Sequence, residues 1–185
     1  MKRLLAIPLV MMFLTGCMGE NKELDRAMEL RADLLCHGCS FNTSVQADYG
    51  SEMHTFGMYC EGDSKGNLGF EVTSPESIAG IRGRISADGG ALTFRDTVLE
   101  FPLMADGQIS PISGPYLLLK TLQSGYVRAV GMEDDLLRVT VDDSYDEDAL
   151  QLDIWLDAQN RPVRAEILYD GRRILTMAVT DFQIL

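Results

Sequence analysis

Histidine and tryptophan are nearly absent, basic residues are scarce, and no apolar run is long enough to cross a bilayer. Each shortage narrows what the chain can do. Two histidines stand among 185 residues, neither in a G-x-S-x-G context, which leaves little for hydrolysis or group transfer by nucleophile, base and oxyanion site. No glycine loop has phosphate-cradling spacing. Sixteen basic residues face 28 acidic ones, a net charge of -12, which argues against nucleic acid and against adhesion to anionic lipid through a basic patch. Carboxylates are abundant, but they gather in turns, which disfavours a glycosidase pair. An apolar content of 46% excludes disorder. No metal or organic cofactor is expected.

What the chain does have begins at its start. Lys2 and Arg3 precede an apolar stretch from Leu4 to Leu14 that is too short to span a membrane as a helix, and Leu14-Thr15-Gly16-Cys17 closes it. The three parts of an export signal are present, and the ending resembles a lipobox, in which cleavage precedes an acylated cysteine. The expected organisation is a lipoprotein signal peptide over 1–16, a lipidated N-terminus and tether over 17–21, and one domain over 22–185. Loss of Lys2 and Arg3 takes the mature chain to about -14. Each buried CH₂ of an acyl chain contributes about 0.8 kcal/mol, so two or three chains anchor stably. The expected location is the extracytoplasmic face of a bacterial membrane.

Periodicity then supplies the elements. Residues 21–35 read as a helix capped by Asn21, with Leu24, Ala27, Met28, Leu34 and Leu35 on one stripe and Glu23 and Asp25 in the first turn. Beyond it the period changes to two: Phe41, Thr43 and Val45, then His54, Phe56 and Met58 after a turn at Tyr49-Gly50. A two-residue turn there places Phe41 opposite Met58 and Cys39 opposite Cys60. A strand at 68–73 runs into Ser74-Pro75, which suggests a short helix to Gly80. A hairpin over 81–94 turns at Asp88-Gly89-Gly90, and 97–101 continues the sheet. A Pro/Gly/Ser-rich loop over 102–114 leads to a helix at 115–124, stopped by Gly125 at C′. The remainder reads as strands over 126–132, 136–141, 149–156, 162–169 and 173–185, with a type I′ turn at Asp170-Gly171. This is an α+β pattern with about ten antiparallel strands. The expected architecture is a single strongly curved sheet, an incomplete barrel, with two or three helices on its concave face.

The order of elements resembles the LolA-like superfamily of bacterial lipoprotein carriers and lipid-binding lipoproteins, and among them lipoproteins related to the germination lipoprotein GerS. The likeness is carried by the helix before the first hairpin and by Val72-Thr73-Ser74-Pro75-Glu76-Ser77-Ile78-Ala79-Gly80-Ile81. It continues in Pro115-Tyr116-Leu117-Leu118-Leu119 and in Leu152-Asp153-Ile154-Trp155-Leu156-Asp157, and ends through Arg161-Pro162-Val163 to Asp170-Gly171-Arg172-Arg173. The resemblance implies an incomplete barrel plugged by helices, whose apolar cavity holds acyl chains in carrier members, and partner binding at a membrane in the lipidated ones. Phe94, Phe101, Leu118, Leu119, Leu122 and Trp155 are candidates to line such a cavity, although residues of this kind are usually plain core.

Among the cysteines, Cys39 and Cys60 are the expected disulfide and Cys36 the spare thiol. Cys36-His37-Gly38-Cys39 also admits a thiol oxidoreductase, but it follows a helix rather than heading one, where a dipole would lower the thiol pKa. Zinc would need a fourth ligand from His37 or His54 beside Cys36, Cys39 and Cys60. The acidic run 142–148 fails as an EF-hand, because Glu147 stands where the sharp turn requires glycine. The functional expectation is a non-catalytic, membrane-anchored binding module for lipid or acyl groups or for an envelope protein partner. The alternative is thiol–disulfide exchange through Cys36 and Cys39.

Overall fold

A computed structural model describes residues 21–48, 50, 53–94, 97–105, 108–146 and 149–185. The expected signal peptide, Cys17 and most of its tether, Tyr49, Glu147 and Asp148 lie outside the described residues.

The chain opens with helix α1 (Lys22–Cys36), whose N-cap is Asn21 as expected: its side chain accepts from the Leu24 amide. The strands that follow are β1 (Cys39–Asp48), β2 (Met53–Gly62), β3 (Leu68–Ser74), β4 (Arg82–Ser86), β5 (Gly89–Phe94) and β6 (Thr97–Phe101). A small hairpin of β7 (Met104–Ala105) and β8 (Gln108–Ile109) and a 3₁₀ turn at Pro111–Ser113 lead into helix α2 (Gly114–Ser124). The chain finishes with β9 (Tyr126–Glu133), β10 (Leu136–Asp142), β11 (Gln151–Leu156), β12 (Pro162–Tyr169) and β13 (Arg172–Ile184). Among the described residues, no helix is long and apolar enough to cross a membrane.

Eleven strands form one open antiparallel sheet in the order β6-β5-β4-β3-β2-β1-β13-β12-β11-β10-β9, an incomplete barrel with two helices. It consists of two meanders joined where β1 pairs with β13. The chain therefore leaves at one free edge, β6, and re-enters at the other, β9. That connection has to cross the sheet, and α2 is the part that does so, packing on β2, β3, β10 and β13. Strand alternation then divides the residues. Phe41, Val45, Met58, Leu68, Ile85, Ile154, Ile167 and Met177 face α2 within one continuous core.

Local chemistry explains several joints. Asp170 and Gly171, at φ 48° and 70°, form the two-residue turn that pairs Tyr169 with Arg172, as a type I′ hairpin requires. Residue 125 is also glycine, but for space rather than for the left-handed conformation expected at C′. Its φ is -71°, and a Cβ there would stand 2.6 Å from Val141 Cγ1 and 2.7 Å from the Thr121 carbonyl.

Three further expectations are corrected. The segment after Ser74 forms successive turns instead of a short helix, with amide bonds from Ile78 to Pro75 and from Ala79 to Glu76. Leu35 is exposed, because the buried stripe of α1 runs through Ala27, Leu30 and Leu34. Asp48 pairs with Met53, so four residues rather than two connect β1 and β2. The register consequently slips by two, placing Cys39 opposite Gly62 and Phe41 opposite Cys60.

Candidate functional site

Helix α2 fills the middle of the barrel. Leu118, Leu119 and Leu122 are buried in the common core, and Leu119 seats on β2. A Cβ at Gly62 would lie 2.5 Å from Leu119 Cδ2 and 3.2 Å from Cys39 Sγ, so the absent side chain is what lets the helix approach the sheet. The same device recurs at the wing, where the Phe101 ring occupies the space a side chain at Gly90 would need, directly across the β5–β6 pair. These three leucines of the expected cavity lining are therefore plug and core.

The two helices are locked to each other at their C-terminal ends. Arg31 of α1 donates from Nε to the Leu122 carbonyl at 2.8 Å, and from one terminal nitrogen to the carbonyls of Gly125 at 2.7 Å and Thr121 at 3.4 Å. Gln123 of α2 donates in return from Nε2 to the Leu34 carbonyl and to the Asp63 carbonyl, both at 3.0 Å. Terminal helix carbonyls lack intrahelical partners and attract positive charge. Burial pushes the Arg31 pKa down.

The plug ends where the wing formed by β4, β5 and β6 begins. Leu92 and Leu99 are direct cross-strand partners and share the inner face with Phe94 and Phe101. There Leu99 is 56% and Phe94 38% exposed, while Leu92 and Phe101 are half-buried. A row of apolar side chains on the inner face of a sheet, next to a free edge, is an unfinished core.

Trp155 does not belong to that set. It lies on the outer face between Arg138 and Arg164, its direct strand partners, whose guanidinium carbons sit 5.4 and 4.4 Å from the ring centre. The cause is alternation: Leu152, Ile154 and Leu156 take the inner positions of β11, and Trp155 falls between them. Its outer-face neighbours complete a ladder. Arg138 reaches Asp153 at 2.7 Å and Glu133 at 3.1 Å. Thr140 donates to Asp153 at 2.6 Å, and Arg164 and Arg173 share Glu166. The Asp153 bond holds the Arg138 pKa above its usual value.

The cysteines also depart from expectation. Cys36, Cys39 and Cys60 are free thiols, the first exposed and the others buried. With the observed register, Cys39 and Cys60 are diagonal neighbours on the inner face. Diagonal Cα atoms stand about 7–8 Å apart, farther than suits a disulfide, so the direct opposition from which the Cys39–Cys60 bridge is expected is not the observed register. Burial pushes the Cys39 thiol up to about 11 against a hydrogen bond from Gly62, and it pushes Cys60 up as well, helped by Cys39. Cys36 closes a helix rather than heading one. Among the described residues no group of three or more metal-ligating side chains gathers, so the three thiols, His37 and His54 are not brought together as a zinc site.

Outside the wing lies a groove of about 1010 Å³ at the strand ends, bordered by Glu61, Asp63, Arg84, Asp88, Glu100 and Leu185. Of the expected cavity residues only Phe101 touches it. Burial acts to raise the Asp63 carboxyl, but hydrogen bonds from the Asn67 side chain and from the Asn67 and Lys65 amides hold it below the usual range.

No protein-family model matches the chain, and no curated protein sequence does. Solved structures similar to it include a putative outer membrane lipoprotein-sorting protein domain from Vibrio parahaemolyticus, at 13% identity and a TM-score of 0.48 over 88% of this chain and 92% of that one. A LolA superfamily protein from Nitrosomonas europaea matches at 9% identity and a TM-score of 0.44 over 86% and 93%. The Mycobacterium tuberculosis lipoprotein LppX matches at 14% identity and a TM-score of 0.40 over 87% and 93%.

Proposed function

We propose that the chain is a lipoprotein held by Cys17 at the extracytoplasmic face of a bacterial membrane, and that it binds lipid or acyl groups without catalysis. The supporting observation is the inner face of the wing, where Leu99 and Phe94 stay exposed beside half-buried Leu92 and Phe101. Covering one such leucine contributes about 1.5–3 kcal/mol, and an acyl chain laid across β5 and β6 would cover several at once. The helical plug fills the barrel centre, so the ligand belongs at the open edge.

A second reading, a protein partner from the envelope, is favoured by β6 itself. It is a free edge strand in which Thr97 to Glu100 are exposed, and an unpaired edge accepts an added strand. Thiol–disulfide exchange gains no support from Cys36 and Cys39, since one thiol closes a helix and the other is buried and hard to ionise.

The test is binding of a fluorescent fatty acid by the parent protein and by Leu99→Asp. The parent should bind, and the variant should lose binding while unfolding at the same denaturant concentration. Absence of binding by the parent would remove the acyl reading and leave strand addition at β6. Cys17→Ala tests the anchor: the variant should leave the membrane fraction or keep its signal peptide.

A further inference from the structure

The two free edges of the sheet are guarded unequally. At β9 the pairing with β10 shifts register between Thr140 and Val141, α1 packs against the strand, and Arg128 and Glu133 place charges of both signs along it. Bulges, charges and a covering helix are devices that keep an edge from pairing with another chain. Strand β6 has little of this. It follows β5 residue for residue from Thr97 to Phe101, and Glu100 is its one charged residue. Alternation puts Leu99 on the inner face and Val98 on the outer one, and Leu99 is 56% and Val98 63% exposed. A ligand on one face would cover only half of such an edge, whereas an added strand covers both.

The strand is complementary to itself. When two copies meet antiparallel across a two-fold axis normal to the sheet, directly opposed residues come from the same face, so registers change in steps of two. Centring on Leu99 pairs all five residues of one β6 with all five of the other. Leu99 then faces its own counterpart, and with Leu92, its partner in β5, it makes an unbroken inner row of leucines across both molecules. On the outer face Val98 of each copy faces Glu100 of the other, so no like charges are opposed. Either neighbouring register pairs only three strand residues, and one of the two sets Glu100 against Glu100.

We propose that the chain forms a two-fold dimer by antiparallel pairing of β6 with β6 of a second copy, centred on Leu99. This rests on the reading of β6 as an acceptor of an added strand, and it names that strand. The assembly closes at two, because an isologous contact uses the same edge on both molecules. Pairing extends the sheet without covering its inner face, so the acyl reading of Leu92, Phe94, Leu99 and Phe101 stands apart from it. One pair of strands about 17 Å long is a small contact, and the net charge of -12 acts against association, so the dimer depends on concentration.

The test is sedimentation equilibrium of the chain from Cys17 onward, in reductant so that no disulfide joins copies, over a hundredfold range of concentration. The parent should pass from monomer to dimer. Val98→Glu should weaken the dimer about tenfold, because symmetry sets the new carboxylate against Glu100 twice. Val98→Lys, which opposes unlike charges there, should keep it. Val98→Glu/Glu100→Lys should restore what Val98→Glu loses, with the urea midpoint of the monomer unchanged in all three variants. Both positions lie on the outer face, so fatty-acid binding should not change, and its loss would count against the acyl reading alone. A parent that stays monomeric throughout would overturn the second copy as the occupant, leaving the edge to a different chain. A dimer indifferent to Val98→Glu, or one that the double variant fails to restore, would show that the copies meet through another surface and would overturn the pairing of β6.

Discussion

Gln123 donates to the main-chain carbonyl of Leu34 across 89 residues of sequence, and Arg31 returns the contact to Leu122. The two helices are thereby fixed to each other, and α2 is held down on Gly62. Arg31→Ala removes a charged fork from three carbonyls. Hydrogen bonds to charged groups contribute about 1.5–3 kcal/mol each, less when their acceptors can reach water. The expected loss is about 2 kcal/mol, seen as a lower urea midpoint at unchanged slope. A midpoint unmoved by the substitution would mean that water replaces the guanidinium without cost.

Gly62 and Leu119 should be coupled. Gly62→Ala places a Cβ 2.5 Å from the Leu119 terminus, and overpacking of a filled core costs about 1–3 kcal/mol. Leu119→Ala alone should cost about 2–5 kcal/mol by leaving a cavity. In the double variant the new methyl enters the space Leu119 vacated, so its cost should fall below the sum of the two, which a double-mutant cycle measures directly. Additive costs would show that Leu119 does not seat on Gly62.

Much of this arrangement is legible in the sequence. The 3.6-residue period of α1, the Asn21 cap, the Asp170-Gly171 turn and the alternation of β1 are local properties, and local chemistry fixes them. What escaped depended on partners far along the chain or on a loop one step longer than assumed. A four-residue connection between Asp48 and Met53 moved Cys60 from Cys39 to Phe41, with no sign in composition. Trp155 reads as lining from its apolar side chain alone, and only its Arg138 and Arg164 partners reveal that it is covered from outside. The exposure of Leu99 and Phe94 has no local signal: it follows from their place beside a free edge, beyond the strands on which α2 packs.

The thiols should react in a fixed order. Cys36 should alkylate in the native protein, and Cys39 and Cys60 only on unfolding, because both are buried and burial raises both pKa values. Burial lifts the Cys39 thiol in the folded chain to about 11, above an ordinary cysteine, so the unfolded chain ionises first as pH rises. The stability held by the neutral thiol is complete below about pH 9 and is lost through about pH 11. Urea midpoints at pH 7.5 and 10 should diverge more for the parent than for Cys39→Ala/Cys60→Ala. A recovered Cys39–Cys60 peptide pair in a non-reduced digest would contradict the diagonal register.

Arg138 and Asp153 form one pair, yet removing either should not cost the same. Arg138 reaches solvent while Asp153 lies beneath it, so Asp153→Ala leaves a guanidinium that can turn to water and still meet Glu133. The expected loss is about 1 kcal/mol, the scale of a partly exposed pair. Arg138→Ala instead leaves a carboxylate under the sheet surface with the Thr140 hydroxyl as its remaining side-chain donor among the described residues. Breaking a buried pair on that side costs about 3–5 kcal/mol, and it also uncovers one face of Trp155. Arg138→Ala/Asp153→Ala should recover much of that difference, since the uncompensated charge is gone. Equal costs for the two single variants would show that Asp153 gains access to water when Arg138 is lost, and that the depth of the carboxylate layer is not what holds the outer face together.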